Sequence, residues 1–229
     1  MSLRMTETLT ETICGRRVKL FTSKRNDAPL VVLNTVQDEG RAVWGMVRSI
    51  TDMEFSLLAV SDIEWNDEMS PWPSETVVNG NMFGGKADMY LGMLIEEIIP
   101  WSVRKMGCAP DYMMIAGYSM AGLFSLYSLF RTNIFRRAVC ASGSLWYPGF
   151  LDFVRNNEPK VRPDVLCMSL GDKESKNRNP VLMDVGEDTE EIYGILSRYC
   201  GRSVMRMDRG NHFNKTIERM AESIAWTLE

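Results

Sequence analysis

The sequence predicts a single α/β domain over residues 1–229, with a mostly parallel central sheet, helices on both faces and no large cap. Two observations predict it. From residue 55 onward, short β-branched or apolar runs alternate with segments of helical periodicity, the pattern of strand–helix–strand units whose crossovers cover both faces of a parallel sheet. The chain has 229 residues, 45% of them hydrophobic: enough for one sizeable core, and no more than one domain requires.

The elements follow in order. RRVKLFT (16–22) and PLVVLNT (29–35) read as strands, and Val43, Met46, Val47 and Ile50 recur at helical spacing within 36–54. FSLLAVS (55–61) is counted as the third strand. The stretch after Ser61 is rich in Pro, Gly, Asn and Asp and reads as a long ordered loop, because Trp65, Trp72 and Phe83 argue against disorder. Residues 87–106 form a helix that Pro100 should kink or split. DYMMIAG (111–117) is a strand, AGLFSLYSLFR (121–131) a helix, and RRAVCASG (136–143) and DVLCMSLG (164–171) two strands in succession. EDTEEIYGILSRYC (187–200) has acidic residues in its first turn and Arg198 in its last, as the helix dipole favours. GRSVMRMD (201–208) and the segment from Phe213 onward give a final strand and a closing helix. The interval 145–162 is too short for a large cap.

Lys and Arg number 26 against 30 Asp and Glu, a net charge of −4 without long like-charged blocks. Nothing in that balance calls for nucleic acid or an anionic membrane, so a small molecule is the expected partner. Five widely spaced cysteines with no C-x-x-C pair suggest reduced core thiols. The start of the chain lacks an apolar signal-peptide core, and a cytoplasmic location is expected. The 17 methionines are scattered among other apolar residues and read as packing.

Chemistry should be sought just after the carboxyl ends of the strands. At Ser119, in G-Y-S-M-A-G, a strand turns directly into a helix. Such a bend strains the backbone, needs small residues at 117 and 121, and lifts the hydroxyl into the open at the sheet edge. The helix N-terminus that follows points free amides at the same spot, so the N–H of Met120 is expected as an oxyanion donor. A turn-filling serine would look the same by the motif alone, so its partners decide. An α/β-hydrolase arrangement needs Ser, then Asp or Glu, then His in chain order. His212, the single histidine, lies four residues past the last strand. After DVLCMSLG stand Asp172 and Glu174. Glu174 is preferred because it has room to clear the strand end and turn toward the imidazole, while Asp172 could cap the turn itself. A second oxyanion donor is expected from the amides near Ile63, after the strand counted third. Trp65, Trp72 and Trp146 fit either an aromatic substrate pocket or the core.

The run from Glu96 to Trp146, EEIIPWSVRKMGCAPDYMMIAGYSMAGLFSLYSLFRTNIFRRAVCASGSLW, resembles an esterase family of α/β-hydrolases that includes enterochelin esterases, feruloyl esterases and esterase D. The SDIEWNDEMSPW loop is similar to the family's segment ending in Ser/Thr-Pro-Trp, and G-N-H-F to its Gly-x-His turn. The resemblance implies Ser119 as nucleophile, His212 as base, an acid after Gly171 and no cofactor or metal. Two departures stand out. Ala121 replaces the usual Gly, which predicts a slightly crowded turn, and the family's acid varies between Asp and Glu and is dispensable in some siderophore esterases. The expected activity is hydrolysis of a small carboxylic ester through an acyl-enzyme. A thioesterase or small peptidase would use the same groups, and a noncatalytic binding protein on this fold is the reading from a different class.

Overall fold

The computed structural model describes residues 8–78, 81–176 and 180–229. Its strands are β1 (Thr8–Ile13), β2 (Arg16–Phe21), β3 (Leu30–Asn34), β4 (Ser56–Ser61), the hairpin pair β5 (Pro73–Val78) and β6 (Asn81–Gly84), β7 (Met113–Tyr118), β8 (Phe135–Ala141), β9 (Val165–Gly171) and β10 (Arg202–Asp208). The helices are α1 (Gly40–Ile50), α2 (Trp65–Glu68), α3 (Ala87–Met93), α4 (Ile99–Met106), α5 (Met120–Arg131), α6 (Phe150–Asn156), α7 (Pro180–Met183), α8 (Val185–Leu196) and α9 (Thr216–Leu228). The hairpin stands apart, and the other strands form one eight-stranded sheet in the order β1-β2-β4-β3-β7-β8-β9-β10. Within that sheet, only the β1–β2 and β2–β4 pairs are antiparallel. The carboxyl ends of β3, β7, β8, β9 and β10 therefore lie side by side along one edge.

Alternation along the strands divides the core in two. Val32, Leu58 and Val60 point to one face and Val31, Leu33, Leu57 and Ala59 to the other, as successive side chains in a strand must. Helices α1 and α9 cover the second face, while α3 to α6 and α8 cover the first. Strands buried on both sides read as continuous apolar runs, which is why they stood out in the sequence. In α5 every residue from Met120 to Phe130 is buried. Its two serines fit there because Ser125 and Ser128 donate to the carbonyls of Ala121 and Phe124, at 2.8 and 2.6 Å.

Several expectations change. β1 is a strand where the sequence suggested only a polar start. It is an edge strand with one neighbour, and its apolar signal is confined to Leu9 and Ile13, which pack on the core. FSLLAVS is therefore the fourth strand. The long loop after it carries α2 and the hairpin. Helix α6 separates β8 from β9, so the two consecutive strands become another strand–helix–strand unit. Pro100 neither splits nor ends its helix: α3 runs through a π turn (Leu94–Ile98) into α4, with the proline in α4's first turn. The wider turn absorbs the hydrogen bond that Pro100 cannot donate. No helix among the described residues is long and apolar enough to cross a membrane.

Candidate active site

Ser119 joins β7 to α5 with φ 59° and ψ −125°, a left-handed conformation that a non-glycine residue holds only where the surroundings fix it. The surroundings do so through four backbone bonds: Ser119 N–H donates to Ala141 O at 3.1 Å, and its carbonyl accepts from Gly122 at 2.9 Å, Leu123 at 3.1 Å and Ser144 at 3.0 Å. Gly117 makes the close packing of strand on helix possible. A Cβ there would collide with the Ala121 carbonyl and lie 2.7 Å from the Ala121 Cβ. The methyl of Ala121 is accommodated because residue 117 has none. Gly117→Ala should accordingly cost about 3 kcal/mol, a fall of roughly 6–12 °C in Tm by calorimetry. An unchanged Tm would show that the elbow has slack.

His212 lies after β10, with Nε2 3.0 Å from Ser119 Oγ and Nδ1 2.8 Å from Glu174 Oε2. Its backbone is tied to the strand that leads into Ser119, since Tyr118 OH donates to the His212 carbonyl at 2.8 Å. Burial pushes the Tyr118 phenol up to about 12 against the opposing influence of Ser142 and Arg219, so it remains a protonated donor.

Of the two candidate acids, Glu174 faces the histidine and Asp172 does not. Asp172 is exposed and accepts a hydrogen bond from Gly210 N–H at 2.8 Å, bracing the histidine loop. Glu174 begins a 3₁₀ turn (Glu174–Lys176) that folds its side chain back over the strand end, and it is 8% exposed. Its Oε1 accepts from Gly171 N–H at 2.7 Å, Ser142 Oγ at 2.7 Å and Arg219 Nη2 at 3.1 Å. Burial alone would push this carboxyl up, but the histidine, Ser142 and Gly171 outweigh it and hold it down to about 2.

Arg219 and Ser142 were missed in the sequence. Ser142 looked like part of a strand's polar end, yet it takes φ 43° just past β8 and turns toward the acid. Arg219 had a signal: it shares one stripe of α9 with Ser223 and Thr227, three polar positions spaced by four and all buried.

Met120 opens α5, where the first amides of a helix have no partner within it, and it lines a cavity beside Ser119. Ile63, expected to offer a second amide, lines neither cavity that contains Ser119. The reason is topological: it follows β4, whereas β7's neighbour in the sheet is β3. Thr35 and Val36, just after β3, do line a cavity with the serine. The Thr35 N–H is engaged with Val60 O at 2.9 Å, while that of Val36 makes no hydrogen bond among the described residues.

The serine stands where two cavities meet, one of about 290 Å³ and one of about 530 Å³, and Trp65, His212 and Phe213 line both. The smaller is walled mainly by Leu33, Val43, Ile217 and Met220, with Glu39 also contributing; the larger by Phe83, Trp146, Lys173 and Lys176. The tryptophans divide accordingly. Trp65 and Trp146 are cavity walls, whereas Trp72 packs on Tyr147, Phe150 and Phe153 and donates from Nε1 to Pro148 O at 3.0 Å. Phe213, 81% exposed, stands edge-on to the histidine ring at the rim.

Solved structures share this architecture. A siderophore hydrolase, EstA, from Aspergillus nidulans superposes with a TM-score of 0.76 at 17% identity over 97% of this chain and 94% of that one. An IroE-like serine hydrolase from Shewanella oneidensis gives 0.73 at 13% identity, over 97% and 79%. The enterobactin hydrolase IroE in complex with DFP gives 0.67 at 16% identity, over 100% and 95%. No curated protein sequence matches. The model of the esterase family described as "Putative esterase" matches residues 33–197, from β3 through α8. The chain belongs to that family and is a carboxylic ester hydrolase of the α/β-hydrolase fold.

Proposed function

We propose that the chain is a serine esterase that opens a small carboxylic ester through an acyl-enzyme, with Ser119 as nucleophile, His212 as general base and Glu174 as the acid that orients it. One observation carries the reading: the unbroken line from Ser119 Oγ to His212 Nε2 at 3.0 Å and from Nδ1 to Glu174 Oε2 at 2.8 Å. His212 takes the serine proton as the oxygen attacks the ester carbon, and returns it to the leaving alcohol. Water then repeats the attack on the acyl-enzyme. Glu174 keeps the proton of the neutral ring on Nδ1, leaving Nε2 free to accept. The amides of Met120 and Val36 are the proposed donors to the oxyanion. A cytoplasmic location is proposed from the five unpaired cysteines.

A fluorophosphonate probe tests the reading. Labelling should fall on the peptide containing Ser119; a folded protein that stays unlabelled beside a reactive control hydrolase would be a binding protein instead. The substrate's character is proposed from the larger cavity. Lys173 and Lys176 have no ion-pair partner among the described residues, and the one carboxylate there, Glu174, is already engaged. With Phe83 and Trp146 alongside, this wall suits an ester with an anionic or aromatic part. The neighbours named as siderophore and enterobactin hydrolases support including catecholate esters in a panel with acetyl, butyryl and feruloyl esters. Replacing both lysines with Gln should lower kcat/KM for a hemisuccinate ester of p-nitrophenol by about 5- to 10-fold, consistent with two exposed charge contacts. The rate on p-nitrophenyl acetate should hold; equal losses on both esters would remove the lysines from recognition.

A further inference from the structure

We infer that Arg219 is a positioning residue for the catalytic groups, a single side chain that ties together the strand ends bearing nucleophile, acid and base. A guanidinium has five N–H donors, and this one has five contacts. Nε meets Asp208 Oδ2 at 3.0 Å; Nη1 meets Tyr118 OH at 2.7 Å and Asn211 O at 3.2 Å; Nη2 meets Glu174 Oε1 at 3.1 Å and, more closely, Ser142 Oγ. These acceptors belong to the end of β7 one residue before Ser119, the turn after β8, the acid itself, the end of β10, and the residue before His212. Parallel strands end side by side without any covalent tie between neighbours, so their relative register at the site depends on such contacts. The residue is 3% exposed. Burial works against its charge, but Tyr118, Glu174 and Asp208 more than offset this and hold the guanidinium above its ordinary value.

The arrangement has an electrostatic consequence as well. Arg219 contacts one oxygen of Glu174 while the histidine contacts the other. The positive guanidinium therefore competes with an imidazolium for the same carboxylate. Facing the ring are Glu174, Tyr118 and, behind them, Arg219 with Asp208. Arg206 remains within 3.6 Å of Asp208; Lys173 and Lys176 lie in the larger cavity and Glu39 in the smaller. Removing Arg219 deletes one buried positive charge from this set and leaves the carboxylates in place, which favours the protonated ring.

The kinetic arm of the test rests on the serine-esterase reading; the spectroscopic arm does not. Because the chain has one histidine, its imidazole can be titrated by NMR without assignment or turnover. In Arg219→Met the midpoint should move to higher pH, and with it the acid limb of kcat/KM. Per fluorophosphonate-titrated site, kcat should fall on the order of 10²- to 10³-fold while KM changes less than about threefold, the signature of misplaced groups. Arg219→Lys keeps the charge with only three donors, so its titration should stay near wild type while kcat falls about tenfold. A Met variant that loses kcat with an unmoved imidazole titration would make Arg219 merely structural and overturn the inference. So would wild-type kcat in either variant. If Met prevents folding, the Lys variant decides by its kcat. If wild type resists fluorophosphonate, the esterase reading fails and the NMR titration alone judges Arg219.

Discussion

Ser119→Ala should lower kcat on p-nitrophenyl acetate by on the order of 10⁴ to 10⁶ and abolish fluorophosphonate labelling, with Tm nearly unchanged. The two halves of that expectation have separate causes. The rate depends on an oxygen that must leave its proton on His212 and bond to the ester carbon, and Ala has none to offer. Stability depends on the backbone, and the four hydrogen bonds that hold residue 119 at φ 59° are made by main-chain groups. Among the described residues the hydroxyl hydrogen-bonds only with His212 and, at 3.3 Å, Ser144 Oγ, and it stands beside two open cavities, so its loss leaves no sealed void. Ser144 makes the control necessary, because it is a second hydroxyl close to the same site. A Ser119→Ala protein that retained more than about one percent of wild-type rate would move the nucleophile elsewhere, and Ser144→Ala would be the next variant to measure.

Ser119 and His212, which the structure brings to 3.0 Å of each other, stood out in the sequence because each had a signal of its own: a small-residue turn between strand and helix, and the only imidazole placed after the last strand. Glu174 was harder. Nothing in G-D-K-E-S-K distinguishes it from Asp172 except reach, and what separates them in the structure is the 3₁₀ turn that folds Glu174 back onto the Gly171 amide while Asp172 stays outside with Gly210. One missed element propagated into the site. Without β1, an edge strand with little apolar signal, FSLLAVS counted as third instead of fourth, and the second oxyanion amide was expected near Ile63, which lines neither cavity at Ser119, while Val36, the donor proposed above, lines one. Arg219 shows the other limit. Its role depends on five acceptors from four separate stretches of the chain, and no local pattern in α9 encodes who they will be.

Glu174→Gln should cost about 10³- to 10⁴-fold in kcat, and Asp172→Asn less than about threefold. The size of the first effect follows from where the donors converge. Gly171 N–H, Ser142 and Arg219 all point at Oε1, so a glutamine there must keep its carbonyl oxygen on that side and turn its NH₂ toward His212. Two donors would then meet at Nδ1. The ring escapes by moving its proton to Nε2, the tautomer that cannot accept from Ser119, so chemistry slows although every heavy atom can stay in place. The same variant carries an acid-stability signature. Glu174 is held down to about 2 from an ordinary 4.5, and a group lowered on folding stabilises above its unfolded value and loses that contribution as pH falls toward its folded one. Wild type should lose stability as pH drops from about 4.5 to 2 more steeply than Glu174→Gln, measured as urea midpoints across that range. Asp172→Asn retains an oxygen for Gly210 and should follow wild type in both rate and acid slope. If the Asp172 variant showed the larger loss of kcat, the orienting carboxylate in the working enzyme would be Asp172, and the contact between Glu174 and His212 would belong to the resting state alone.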